Sequence, residues 1–206
     1  MSHRMRTLML YVAVAFAAAA PAHAHHAMDY RLPATLLEGL LSGLGHPVIG
    51  IDHLFFIIAA GVLAARLERG YVLTLLFVMA SLLAAAARAA GAPWEMSEFW
   101  IAGSLVVLGG VALAVQTPAR GLIAALFVVA GLLHGYALAA AIVGAERTPL
   151  YAYFAGLAVI QCGIALGAWA ATRWLAAHRP QVPVQRLVGA SAALAGMVFA
   201  GMIALG

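Results

Sequence analysis

Three side chains able to bind a metal or move a proton fall within one short stretch, Gly45-His46-Pro47-Val48-Ile49-Gly50-Ile51-Asp52-His53. Two imidazoles and a carboxylate are a donor set for a divalent transition metal. Imidazole binds nickel, copper and zinc well, and the carboxylate neutralises part of the charge, without choosing among these ions. His46 and His53 are seven residues apart, which on a regular helix puts them on nearly one face, two turns apart. Pro47 and Gly50 argue against a regular helix, because Pro belongs in a first turn and Gly loosens the backbone. A loosened helix can aim Asp52 and both rings at one point, as broken helices do at the ion sites of transporters. The plainer alternative is that Asp52 orients His53 or caps a helix near the membrane interface.

Other candidates are scattered along the chain. His134 lies in Gly131-Leu132-Leu133-His134-Gly135-Tyr136-Ala137, within about 5 Å of the membrane depth expected for Asp52 at 1.5 Å per residue. It is read as a further ligand, the alternative being a hydrogen-bonded packing residue. Glu98 follows Trp94-Glu95-Met96-Ser97 at the start of an apolar run, where a carboxylate is also favoured simply by the helix dipole. Gln161 and Cys162 sit in the middle of another run and read as an interhelical hydrogen-bonding residue and a small buried hydrophobe. His25 and His26 would form the mature N-terminus, where a free amine beside imidazoles chelates copper or nickel once deprotonated. A His-rich end without a fixed role is the alternative.

The elements that must position these residues are membrane helices. The chain has 206 residues, 66% hydrophobic and only 9% charged, against about 25% charged in a soluble domain. Its mean hydropathy is +1.03. An ordinary soluble globule and a disordered tail are both excluded. Arg4 and Arg6, the apolar run 8–20, Pro21 and Ala22-His23-Ala24 form a secretory signal over residues 1–24, cleaved after Ala24. An uncleaved anchor helix is the alternative. Residues 25–45 then form an outer N-terminal segment, and 46–206 a domain of six crossings at 46–65, 71–90, 98–116, 120–143, 149–173 and 185–205. The expected fold is therefore all-α, a polytopic bundle of six transmembrane helices after a cleaved signal peptide.

With both mature termini outside, Arg66, Arg69, Arg120, Arg173, Arg179 and Arg186 lie inside, against Arg31, Arg88 and Arg147 outside, as the positive-inside rule asks. The acidic residues Asp29, Glu38, Glu95, Glu98 and Glu146 fall on the outer face, where they would concentrate cations. Trp94, Trp100, Trp169 and Trp174 lie near span ends, as an interfacial belt would. Gly131 with Gly135 and Gly163 with Gly167 have the four-residue spacing that lets membrane helices approach closely.

Several function classes drop out. There is no lysine, hence no P-loop and no nucleotide-driven pump in this chain. The net charge of +4 comes from isolated arginines rather than a basic stripe, so nucleic acid is not a partner. One cysteine excludes a disulfide framework and a Cys-x-x-Cys motif. No G-x-S-x-G elbow or H-E-x-x-H motif supports an enzyme.

The run His46-Pro47-x-x-Gly50-x-Asp52-His53 resembles the first-helix signature of the HupE/UreJ family, hydrogenase and urease accessory membrane proteins regarded as nickel or cobalt permeases. Glu98-x-x-Ile101-Ala102-x-Ser104 with Leu108-Gly109 resembles that family's third-helix segment, and His134-Gly135-Tyr136-Ala137 resembles the first half of its other signature. The second half of that signature, a histidine and a glutamate, is replaced here by Leu138 and Ala141. The resemblance implies a six-helix fold and carries a metal-site role to His46, Asp52, His53, Glu98 and His134. It implies a secondary permease in the bacterial inner membrane that takes up Ni²⁺, or Co²⁺ in second place, for metalloenzyme maturation, with no resident cofactor. Partners would be the metal substrate, membrane lipid, further copies of the chain and maturation proteins. Two other readings stay open: an accessory protein that binds metal without conducting it, and a redox subunit in which His134 with His46 or His53 ligates haem.

Overall fold

The computed structural model describes residues 31–94 and 98–205. Among these residues seven α-helices follow one another: α1 Leu36–Ile49, α2 Ile51–Ala64, α3 Tyr71–Ala89, α4 Glu98–Leu113, α5 Arg120–Leu138, α6 Arg147–His178 and α7 Val184–Leu205. A short 3-10 turn, Ala139–Ile142, continues from α5, and there is no strand among the described residues. The signal sequence 1–24, with His25 and His26, lies outside the described residues.

Among the described residues four helices, α3, α6, α7 and α5 with its 3-10 extension, are long and apolar enough to cross a membrane. The pair α1 and α2 makes a fifth if it is one broken span, bent by 77°. The third expected crossing, 98–116, is the short apolar helix α4, whose 16 residues extend about 24 Å against a hydrocarbon core of about 30 Å. At the other extreme, α6 has 32 residues, or about 48 Å, and must tilt or emerge into water.

The largest departure from the sequence reading is at the start. The expected first crossing, 46–65 after an outer segment 25–45, runs across the break at Gly50 into α2, and it starts inside a helix that already begins at Leu36. Thr35 starts it with a capping box. The Glu38 N–H donates to the Thr35 hydroxyl at 3.2 Å, and the Glu38 carboxylate accepts from the backbone N–H of Thr35 at 3.1 Å and of Ala34 at 2.8 Å. Pro47 sits inside α1 rather than in a first turn. The break comes at Gly50, which is extended (φ −72°, ψ 90°), and its N–H bonds the His46 carbonyl at 2.9 Å.

The helices pack mainly as the pairs α1 with α6, α3 with α5, and α4 with α7, around α2. Phe56, Ile57, Ala59, Ala60, Leu63 and Ala64 of α2 are fully buried, which makes α2 the central strut. Close helix contact depends on missing side chains. A Cβ on Gly43 would strike the Tyr153 carbonyl of α6, and one on Gly135 the Ser81 backbone of α3. Gly131 packs likewise, on the Phe77 carbonyl. The second expected pair behaves otherwise: among the described residues nothing lies within 4 Å of a Cβ on Gly163 or Gly167, so that face of α6 meets none of the described helices there.

Arginines tie the loops. The Arg66 guanidinium donates to the carbonyls of Ala112, Ala114 and Val115 at 3.4, 3.0 and 3.2 Å, closing the C-terminal end of α4. Arg120 donates to the Glu68 carbonyl at 2.7 Å. At the opposite ends of the helices, Arg88 donates to the Tyr136 carbonyl at 2.8 Å and lies 4.6 Å from that ring's centroid. Trp94, Trp100 and Trp174 are exposed, as a belt requires, whereas Trp169 is half-buried against Tyr71.

Candidate metal site

Gly50 is the pivot of the site. A Cβ there would lie 2.7 Å from His53 Cδ2, 3.3 Å from the His46 carbonyl and 3.4 Å from Asp52 Oδ1, so the trio closes around a residue that has no side chain. On a straight helix, His46 and His53 would be about 10.5 Å apart along the axis. The bend brings their ring centroids to 6.3 Å, edge to face at 79°. Both histidines are buried, and Asp52 is half-buried. One Asp52 oxygen accepts from the His53 backbone N–H at 2.9 Å, in the first turn of α2.

Each of the two histidines is held at Nδ1 from a distant helix. His46 Nδ1 lies 2.8 Å from the Tyr153 hydroxyl of α6, which itself donates to the Leu138 carbonyl at 2.5 Å. His53 Nδ1 lies 2.7 Å from Nδ1 of His134 on α5. His134 Nε2 lies 2.9 Å from the Ser104 hydroxyl of α4, which donates to the Ile101 carbonyl at 2.7 Å. His134 is fully buried, with Phe56 at 4.4 Å and Phe77 at 6.3 Å between ring centroids. The depth match from sequence thus does bring His134 to the trio, through His53. Both of its nitrogens are in hydrogen bonds.

Glu98 stands apart: it opens α4 on an exposed turn, about 9 Å along the helix from Ser104. Leu138 and Ala141 are buried, and Leu138 packs with Ala85, Ile142, Tyr153 and Leu157. Gln161 donates from Nε2 to the Ser81 hydroxyl at 3.0 Å, joining α6 to α3, and Cys162 is a free, half-buried thiol. Among the described residues no group of three His, Cys, Asp or Glu side chains is placed to hold a metal ion.

Sequence reasoning missed Tyr153, and it named Ser104 and Tyr136 only within family-like segments, without a role of their own. Tyr136 sits two residues from His134 and organises the approach to α4: its hydroxyl donates to the Ala92 carbonyl at 3.0 Å and accepts from the Trp94 N–H at 3.0 Å. A lone tyrosine or serine in an apolar run carries no spacing signal. Only the packing of helices remote in sequence gives these hydroxyls a partner.

An all-helical membrane protein with a histidine pair across a broken helix is the class that fold and site define. The family model described as HupE / UreJ protein matches residues 11–199, and the chain belongs to this family. The family is linked to the nickel and cobalt accessory functions of hydrogenase and urease, and is an accessory and transport family rather than a catalytic one. Comparison with curated proteins and with solved structures gave no match.

Proposed function

We propose that this protein is a permease of the bacterial inner membrane, working without nucleotide hydrolysis. It would carry a divalent transition metal, Ni²⁺ first and Co²⁺ second, inward to metalloenzyme maturation. The observation that carries the reading is the pair His46 and His53, brought to 6.3 Å across the break at Gly50 with a carboxylate beside them. Ion sites made by discontinuous helices have this form.

In this reading the acidic outer face and His25 and His26 gather the ion, and Glu98 stands at the mouth. His46, His53 and Asp52 then replace part of its water shell, with His134 supporting His53 from behind. A small protein donor set suits transit, because conduction needs a site that binds well enough to load and weakly enough to release. A divalent ion moving inward through 100 mV gains about 4.6 kcal/mol, enough to drive accumulation without ATP. Binding requires neutral imidazoles, so acidification opposes uptake.

The accessory and haem readings are separated from this one by experiment. Uptake of labelled Ni²⁺, with Co²⁺ and Cu²⁺ as competitors, is measured in cells expressing the wild type or Asp52→Asn. Accumulation by the wild type that is lost in the variant is the expected result. Equal background uptake with both proteins in the membrane sinks transport. Nickel bound by the purified protein then selects the accessory reading, and a Soret band selects haem.

A further inference from the structure

Neutral imidazole carries one ring hydrogen, and which nitrogen holds it decides which can bind a metal. The hydrogen-bond chains around the site decide this for both histidines. The Tyr153 hydroxyl has one hydrogen, and it goes to the Leu138 carbonyl. Toward His46 the same oxygen can only accept, so His46 Nδ1 carries the hydrogen across the 2.8 Å contact. The second chain runs the same way. The Ser104 hydrogen goes to the Ile101 carbonyl, so His134 Nε2 is the donor to Ser104. Neutral His134 then has its lone pair on Nδ1, which accepts from His53 Nδ1 at 2.7 Å. Both chains end on a backbone carbonyl, and both put the hydrogen on Nδ1 of a site histidine.

We propose that Tyr153 and the His134–Ser104 pair are positioning residues that fix His46 and His53 in the same tautomer, with hydrogen on Nδ1 and the lone pair on Nε2. The two imidazoles thereby offer matched Nε2 donors before any ion arrives. Outer partners that hold the second nitrogen of a ligating histidine orient its ring and make it a better ligand. Three distant segments converge for this purpose: α6 supplies Tyr153, the end of α5 supplies His134 and the Leu138 carbonyl, and α4 supplies Ser104. This inference deepens the permease reading and rests on it for its use, though the tautomers themselves are testable without a metal.

The test is nitrogen NMR of metal-free protein carrying ¹⁵N-histidine in lipid bilayers, in alkaline buffer where the imidazoles are neutral, followed by Ni²⁺ titration of the same samples. The His46 signals are assigned by their loss in His46→Gln. In the wild type, His46 and His53 are expected with hydrogen on Nδ1 and none on Nε2. Tyr153→Phe keeps the ring and removes only the hydroxyl. It is expected to redistribute the His46 tautomer, to leave the His53 and His134 signals in place as proof of folding, and to weaken Ni²⁺ binding about 10–100-fold. Hydrogen on Nε2 of His46 in the wild type overturns the proposal. So does an unchanged tautomer in Tyr153→Phe, or a changed tautomer with unchanged Ni²⁺ affinity. Tautomers as assigned in a wild type that binds no Ni²⁺ overturn the permease reading and the metal role of the pair, while the hydrogen-bond assignment stands.

Discussion

His53 and His134 meet nitrogen to nitrogen, Nδ1 to Nδ1 at 2.7 Å, a contact that holds only when one ring gives a hydrogen and the other a lone pair. His134 is fully buried, and its other nitrogen is satisfied by Ser104. Ser104→Ala therefore strands a buried N–H. A loss of about 1–3 kcal/mol in stability is expected, measured by denaturant unfolding in detergent micelles. An unchanged midpoint would show that His134 does not depend on Ser104. Ser104→Thr keeps the hydroxyl and should retain more of the stability.

Asp52 separates charge from shape. Its oxygen accepts the His53 backbone N–H, a bond that asparagine can also accept. Asp52→Asn should therefore keep the α2 start, at a cost of about 0.3–1 kcal/mol for the charge lost from the first turn of the helix. Metal uptake should nevertheless be lost. If the midpoint collapses together with uptake, the carboxylate is a structural cap and not part of the metal path.

The glycine pairs make a controlled comparison. Gly135→Ala pushes a methyl into the Ser81 backbone and must part α3 from α5, at a cost of at least about 1–3 kcal/mol for overpacking. It should also displace the adjacent His134 and impair uptake. Gly163→Ala and Gly167→Ala meet nothing within 4 Å and gain helix propensity of about 0.8–1 kcal/mol each. Thermal unfolding of the three variants checks this; a Gly163→Ala protein as damaged as Gly135→Ala would mean that a further protein segment packs on that face.

These glycines show where the sequence stops being informative. Both pairs have the same spacing, and nothing local distinguishes the one that meets α3 from the one that meets none of the described helices. The approach of His46 to His53 was legible because the two are close in sequence and Gly50 marks the weak point of the helix. The start of α1 was legible in principle: Thr35-Leu36-Leu37-Glu38 is a capping-box pattern, overlooked because the first crossing was drawn from its apolar core at 46 onward. Tyr153 was not legible, since its hydroxyl reaches a histidine 107 residues away only after α1 has packed on α6. The length of α4 was not legible either, because Arg66, from another loop, takes the carbonyls at its end.

Gln161 is fully buried, with its amide nitrogen bonded to Ser81 and its carbonyl oxygen without a partner among the described residues. A buried acceptor left unsatisfied costs about 1–3 kcal/mol, whereas the bond to Ser81 contributes about 0.5–1.5 kcal/mol. Gln161→Leu removes both, and the freed Ser81 hydroxyl can turn to its own helix backbone. The variant is expected to unfold at or above the wild-type midpoint. A clear loss of stability would mean that the amide oxygen is satisfied in the membrane, by water or by an ion.

Arg66 is the last of these tests, because its place in the sequence gives it a topological role and the structure gives it a second one. As one of the arginines on the expected inner side it helps set orientation, and a substitution to Lys preserves that charge. The guanidinium, however, spans three carbonyls, of Ala112, Ala114 and Val115, with a planar fork that an ammonium cannot reproduce. Arg66→Lys should thus leave the topology intact and loosen the segment 114–119 that joins α4 to α5. Faster proteolysis at that segment in inside-out vesicles, with unchanged labelling of cysteines placed on either side of the membrane, is the expected outcome. Equal cleavage of variant and wild type would reduce Arg66 to its charge.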